Sequence, residues 1–150
     1  MTTFALESPR QNDVIDLLER GEAFARSRYP VDRCYLLDVD ELAADGVSVF
    51  VARDGGDALG MVALVDRGDG SGEIKRLFVH DRARGRGVAG GLLEALEAHA
   101  RSRGIRTVQL ETGTKQPEAV ALYEKHGYRH IPKSGQYVGD ETSLCMEKEL

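Results

Sequence analysis

The chain has 150 residues, 41 % hydrophobic and 30 % charged, a balance that suits one globular domain over residues 1–150 and excludes a disordered or fibrous protein. Its net charge of −5 argues against general nucleic-acid binding, and no apolar run approaches membrane-spanning length. No basic segment followed by an apolar stretch opens the chain, and Cys34 and Cys145 are isolated without CxxC spacing, so the expectation is a cytoplasmic protein with no disulfide.

Phe4–Glu7 reads as a short strand, and Ser8-Pro9 opens a helix whose apolar positions include Val14, Ile15, Leu17 and Leu18. Tyr29-Pro30 ends it. A second short helix is predicted over Asp38–Ala44, with Asp38 or Asp40 as its cap. Val47–Arg53 and Ala58–Asp66 form a hairpin about the Asp54-Gly55-Gly56-Asp57 turn. Glu73–Val79 is the next strand. After a charged loop, a long helix runs from about Gly87 to Arg103, with Val88, Leu92, Leu93, Leu96 and Ala100 on one stripe and Glu94, Glu97 and Arg101 away from it. Thr107–Glu111 is a strand, Pro117–His126 a helix, and Tyr128–Ile131 and Ser143–Glu149 are the last two strands. The order predicts an α/β protein with a mixed sheet and helices on both faces.

Charge is unevenly spread. Residues 1–74 carry a balance of −8, residues 75–106 one of +5 and residues 107–150 one of −2. The basic third contains a loop, residues 79–93 (VHDRARGRGVAGGLL), that runs from a strand into a helix. The first turn of a helix offers unpaired N–H groups and the positive end of its dipole. Glycines allow close approach of the backbone, and Arg82, Arg84 and Arg86 supply charge. This combination suits a pyrophosphate cradle; a basic surface turn is the plainer alternative. Gly85-x-Gly87-x-x-Gly90 also matches the dinucleotide fingerprint, with Glu111 where a ribose-binding acid belongs. Against it, five residues separate Val79 from Gly85, and the hairpin precedes the loop.

Two motifs resemble the GNAT acetyltransferase family. Its phosphate-loop pattern Q/R-x-x-G-x-G/A is matched by Arg84-Gly85-Arg86-Gly87-Val88-Ala89, and its A-x-x-L-Y-x-x-x-G-Y/F helix end by Ala119 to Tyr128. The element order extends the resemblance from about Phe4 to Leu150. It implies a mostly antiparallel sheet of six to seven strands, splayed between strands 4 and 5, with about four helices. It implies an acetyl-CoA-dependent N-acetyltransferase acting by direct transfer to a primary amine in a ternary complex. Leu77, Phe78 and Val79 would pair with the pantetheine arm, and Arg84, Gly85, Arg86, Gly87, Val88 and Ala89 would hold the pyrophosphate. Gln116 stands where many members carry Asn, which alters that contact with the arm.

By the same resemblance Tyr123 is the general acid; the alternative is a packed helix Tyr with its hydroxyl at the rim. Glu73 is the first candidate base and Glu111 the second, each with a solvated strand-end acid as the alternative. No metal is expected, since the four histidines show no ligand spacing. Acids at Asp38, Asp40, Glu41 and Asp45, with the loop Pro132–Thr142 and its Tyr137, would suit a cationic amine if they line the acceptor site. A catalytically silent acyl-CoA sensor on the same fold is the rival reading, and a dinucleotide-binding protein the remote one. The family includes homodimers, but no interface stripe assigns one here.

Overall fold

The computed structural model describes residues 1–30 and 34–150. Its elements are β1 (Thr2–Leu6), α1 (Asn12–Arg26), α2 (Val39–Leu42), β2 (Val47–Asp54), β3 (Asp57–Asp66), β4 (Ser71–Val79), α3 (Val88–Ser102), β5 (Thr107–Gly113), α4 (Pro117–Lys125), β6 (Arg129–Ile131) and β7 (Ser143–Glu149). The strands form one seven-stranded sheet in the order β1-β2-β3-β4-β5-β7-β6. Every pairing is antiparallel except β4 with β5. That is the mixed sheet expected, and it is not the doubly wound parallel sheet that a dinucleotide site requires. No helix among the described residues is long and apolar enough to cross a membrane.

Local chemistry explains the element ends. Gly55 and Gly56 both adopt positive φ, 59° and 93°, which lets a two-residue turn join β2 to β3 with matching twist. Asp38 caps α2: its side chain accepts from the Glu41 amide, and Glu41 returns the bond to the Asp38 amide. Gly104, just past α3, sits at φ +78°, and Gly127, just past α4, at +90°. The first strand lies a little earlier than expected and α1 begins only at Asn12, because the Ser8–Gln11 segment forms a turn ahead of the helix.

Two cores sandwich the sheet. On one face Val88, Leu92, Leu93, Leu96 and Ala100 of α3 pack on Phe50, Val62, Leu64, Ile74, Val108 and Leu110. On the other, Val14, Leu17 and Leu18 of α1 and Leu42 of α2 pack on Val49, Val51, Met61 and Ala63. Each apolar stripe removes surface from water on one side of the sheet, which is why both helix pairs are amphipathic. One reading from the helical stripe needs correction. Glu97 is buried, 5 % exposed, because Tyr128 donates to it at 2.9 Å and Lys148 at 2.8 Å. These bonds offset the desolvation of its charge and tie α3 to the end of the sheet.

Arg53 on β2 fastens the start of α1 to the hairpin. It donates to Glu7 at 2.9 Å, to Asp13 at 2.7 Å and to the Gly56 carbonyl at 2.8 Å. Its hydrogen bonds are the main reason that both carboxyls lie below their ordinary values of 4.5 and 3.8. The resulting stabilisation is complete above those ordinary values and is lost as pH falls through the lowered ones. Arg53→Met should therefore cost about 1–2 kcal/mol in a urea melt at pH 7, allowing for the partial exposure of the acids. The gap between variant and parent should shrink below about pH 4. An equal gap at pH 7 and pH 3 would show that packing, not charge, accounts for the loss.

Candidate active site

One residue too many in β4 shapes the site. Along β3 and β4 the register runs from Met61 opposite Phe78 to Ala63 opposite Lys75, so β4 bulges at Arg76 and Leu77. Arg76 has φ +59°, the one non-glycine residue in the left-handed region among those described. Pairing of β4 with β5 holds from Ser71 with Thr107 to Ile74 with Leu110 and goes no further, although both strands continue. Beyond the bulge the strands part and leave a cleft of about 410 Å³.

Leu77, Phe78 and Val79 line this cleft. Phe78 and Val79 stay paired with β3 on one side, and none of the three has a β5 partner on the other, so backbone groups of β4 face the gap. An extended amide chain could add to that edge as a strand does.

The phosphate loop begins where β4 ends. A 3-10 turn, Asp81–Ala83, leads into Arg84, and Gly85 and Gly87 both take left-handed φ, 78° and 76°. A Cβ at either would meet no atom within 4 Å, so these glycines are required by conformation, and the space beside them is open. Gly87 caps α3 with no side-chain hydrogen bond and no acid in the first turn. The amides of Val88 and Ala89 are thus available to an anion. Arg84 lines the cleft and reaches Asp81 at 3.0 Å. Arg86 is pulled aside by Asp54 at 2.9 Å. Gly90 and Gly91 have a different reason: a Cβ would come within 3.1 Å of His126 or 2.1 Å of Phe4. Close helix packing, not dinucleotide binding, accounts for the rest of the glycine fingerprint.

Tyr123 enters from α4. Its ring is 5 % exposed and stacks edge-on with Tyr128, centroids 5.7 Å apart. It lines the cleft, and its hydroxyl makes no hydrogen bond among the described residues. Burial, with the Glu111 charge second, pushes its phenol well above the usual 10, so it stays protonated. Gln116 caps the start of α4 by position and also lines the cleft.

The two candidate bases lie in different surroundings. Glu73 is held by Arg67 at 3.0 Å, Lys75 at 3.3 Å and the Tyr137 hydroxyl at 2.9 Å, and it does not line the cleft. Glu111 does line it. Burial raises its carboxyl above the ordinary 4.5, against a hydrogen bond donated by Ser143 at 2.9 Å. Ser143 also reaches Asp140 at 3.2 Å, and Asp140, 4 % exposed, accepts from Tyr35. Sequence reasoning had no signal for this chain, since its members come from three separate segments. Tyr29 was also missed: its hydroxyl lies over Gly113, where a Cβ would stand only 1.8 Å away, and accepts from the Lys115 amide at 3.0 Å. The acids Asp38, Asp40, Glu41 and Asp45 do not line the cleft. Among the described residues no three His, Cys, Asp or Glu side chains converge as metal ligands would.

Comparison with known proteins agrees with this geometry. Residues 12–128 match the model of the acetyltransferase (GNAT) family. The IAA acetyltransferase of Azospirillum brasilense is 40 % identical over 149 residues, covering 99 % of this chain and 97 % of the relative. A solved Klebsiella pneumoniae structure, provisionally an acyl-CoA N-acyltransferase, superposes with TM-score 0.85 at 32 % identity, covering 100 % of this chain and 98 % of the other. A GNAT family acetyltransferase of Elizabethkingia anophelis, with acetyl-CoA bound, shares the fold at TM-score 0.76 and 17 % identity, over 99 % and 98 % of the two chains. The splayed β4–β5 cleft, the glycine-started α3 and the cleft-lining Tyr123 thus belong to an enzyme of the GNAT acetyltransferase family.

Proposed function

We propose that this enzyme takes the acetyl group from acetyl-CoA and transfers it to a primary amine in one ternary complex, with Tyr123 as general acid and Glu111 as general base. The observation that carries this reading is the continuity of one cleft. It runs from Arg84, in the loop that opens α3, along the unpaired edge of β4, to Tyr123 and Glu111. Polyanion, amide arm and thioester would follow that order.

In this scheme Val88 and Ala89 donate their amides to the pyrophosphate, and Arg84 adds charge. A backbone N–H within Leu77–Val79 polarises the acetyl carbonyl and stabilises the oxyanion. Glu111 accepts the proton that the attacking nitrogen loses; its raised pKa suits a base that must work near neutral pH. Tyr123 donates its proton to the departing sulfur as the carbon–sulfur bond breaks. Both groups then return to their starting states by exchange with solvent through the open cleft. Glu73, engaged by Arg67, Lys75 and Tyr137, would hold the β4 edge in place in this scheme.

Cofactor binding is tested by calorimetric titration of acetyl-CoA. A carboxylate in the cradle, Gly87→Glu, combines charge repulsion with an unfavourable φ of 76° and should weaken binding at least about 100-fold. Unchanged binding would remove the cradle from this loop.

Chemistry is tested separately. Tyr123→Phe should lower kcat by about 10²-fold while acetyl-CoA affinity stays within a few-fold. If thiol release is undiminished, the tyrosine is a packing residue; if the parent binds acetyl-CoA but releases no thiol with any amine, the sensor reading holds.

The pH profile separates the bases. For the parent, kcat/KM should rise through a limb set above the ordinary carboxyl value of 4.5, where Glu111 loses its proton. Ionisation of Tyr123 should cause no decline below pH 10, because its pKa is raised. Glu111→Gln should lower kcat by about 10²-fold and abolish that limb, whereas Glu73→Gln should retain it. The opposite result would move the base to Glu73.

A further inference from the structure

Arg76 is not explained by cofactor binding. Its side chain is 3 % exposed, and the residue lines the cleft. Nη2 donates to the Leu18 carbonyl of α1 at 2.7 Å. Nη1 is held by a long ion pair to Glu22 at 3.5 Å, and it is the one buried side-chain nitrogen or oxygen among the described residues without a well-formed hydrogen bond. A buried guanidinium N–H with only a long ion pair to hold it has capacity for a better-placed acceptor. The backbone gives a second, independent sign. Arg76 takes φ +59° without being glycine, a conformation that tends to persist where function requires it.

Lys75 and Arg76 both line the cleft at the start of the bulge. Across the gap stands Glu111, close enough for Lys75 to act on its charge. The cleft lining thus carries both signs, Glu111 on β5 and Arg76 on β4. A polyamine would find no acidic wall, because Asp38 and Glu41 bond each other in a cap and Asp40 pairs with Arg10 at 3.0 Å. The phosphates have their own donors at the start of α3, whereas Arg76 is bonded beneath α1.

We propose that the acceptor is a zwitterion, an amine that also carries a carboxylate, with the amine set at Glu111 and the carboxylate received by Nη1 of Arg76 in place of Glu22. This rests on Glu111 serving the amine as proposed above. An α-amino acid or a small relative is the chemical class that fits.

The test uses the purified enzyme, acetyl-CoA and a thiol-release assay. The acceptors are the protein amino acids, each set beside its carboxamide, which keeps the amine and removes the charge. The acid of a productive pair should exceed its amide in kcat/KM by about 10-fold or more, as expected for a charged hydrogen bond. Arg76→Met should erase that preference while acetyl-CoA affinity is kept. Glu22→Gln, a change at a partly exposed position that threatens folding less, should lower KM for the acid several-fold and leave the amide unaffected. Amides used as well as acids, a preference that survives Arg76→Met, or no turnover of either class by an enzyme that binds acetyl-CoA would each overturn the proposal. Failure to bind acetyl-CoA at all would instead sink the transferase reading beneath it.

Discussion

The single inserted residue in β4 is the constraint from which the site follows. Two adjacent parallel strands would ordinarily remain hydrogen-bonded along their length, because an unpaired backbone group buried in a sheet is costly. Here the pairing stops after Ile74 and Leu110. The bulge redirects β4 while β3 stays bound to it. Gly60 makes this approach feasible, since a Cβ there would lie 2.9 Å from the Phe78 carbonyl oxygen. The edge that β5 abandons is what an amide-bearing arm can occupy. An enzyme that must hold a long, flexible cofactor gains a strand's worth of hydrogen bonds without a dedicated pocket for each group.

The helix that follows β4 is held rigidly where the phosphates would arrive. Val88, Leu92, Leu93 and Leu96 are at most 3 % exposed, so α3 is anchored by its apolar stripe and not by its own propensity. Gly91 lets it close against Phe4, and Gly90 against His126. Glu97, buried on the same helix, is fixed by Tyr128 and Lys148. The second motif therefore has two jobs: Tyr123 faces the cleft, while Tyr128 clamps the helix that carries the first motif. Positioning of a helix terminus within a fraction of an ångström is what oriented amides need to act on a charge.

Much of this was legible in the sequence, and the limits have physical causes. The strand and helix order followed from periodicity, and Gly85, Gly87, Gly104 and Gly127 all proved to hold positive φ. Local chemistry was readable because the glycines and caps act on their own neighbours. What could not be read depended on long-range pairing. The bulge at Arg76 is visible only against β3, and EIKRLFV looks like any strand. Glu97 appeared solvated because its partners are 31 and 51 residues away. Arg86, read from the sequence for its charge alone, also pairs with Asp54, 32 residues earlier. Single-residue stickiness to charge says little when the partner is set by the fold.

The contrast between Glu73 and Glu111 shows how environment assigns a task. Both are glutamates on neighbouring strands, and sequence position favoured the first. Glu73, however, has two cations and a hydroxyl within 3.3 Å. Its oxygens are occupied by those donors. Glu111 has one hydroxyl donor, from Ser143, and a burial that favours its neutral form. The single Ser143 hydroxyl proton lies between Glu111 and Asp140, and Asp140 also holds Tyr35 at the cleft wall. Glu111, through Ser143, and the Tyr35 wall of the cleft are thus linked through one shared acid, so a change at Asp140 should disturb both sides of the cleft together.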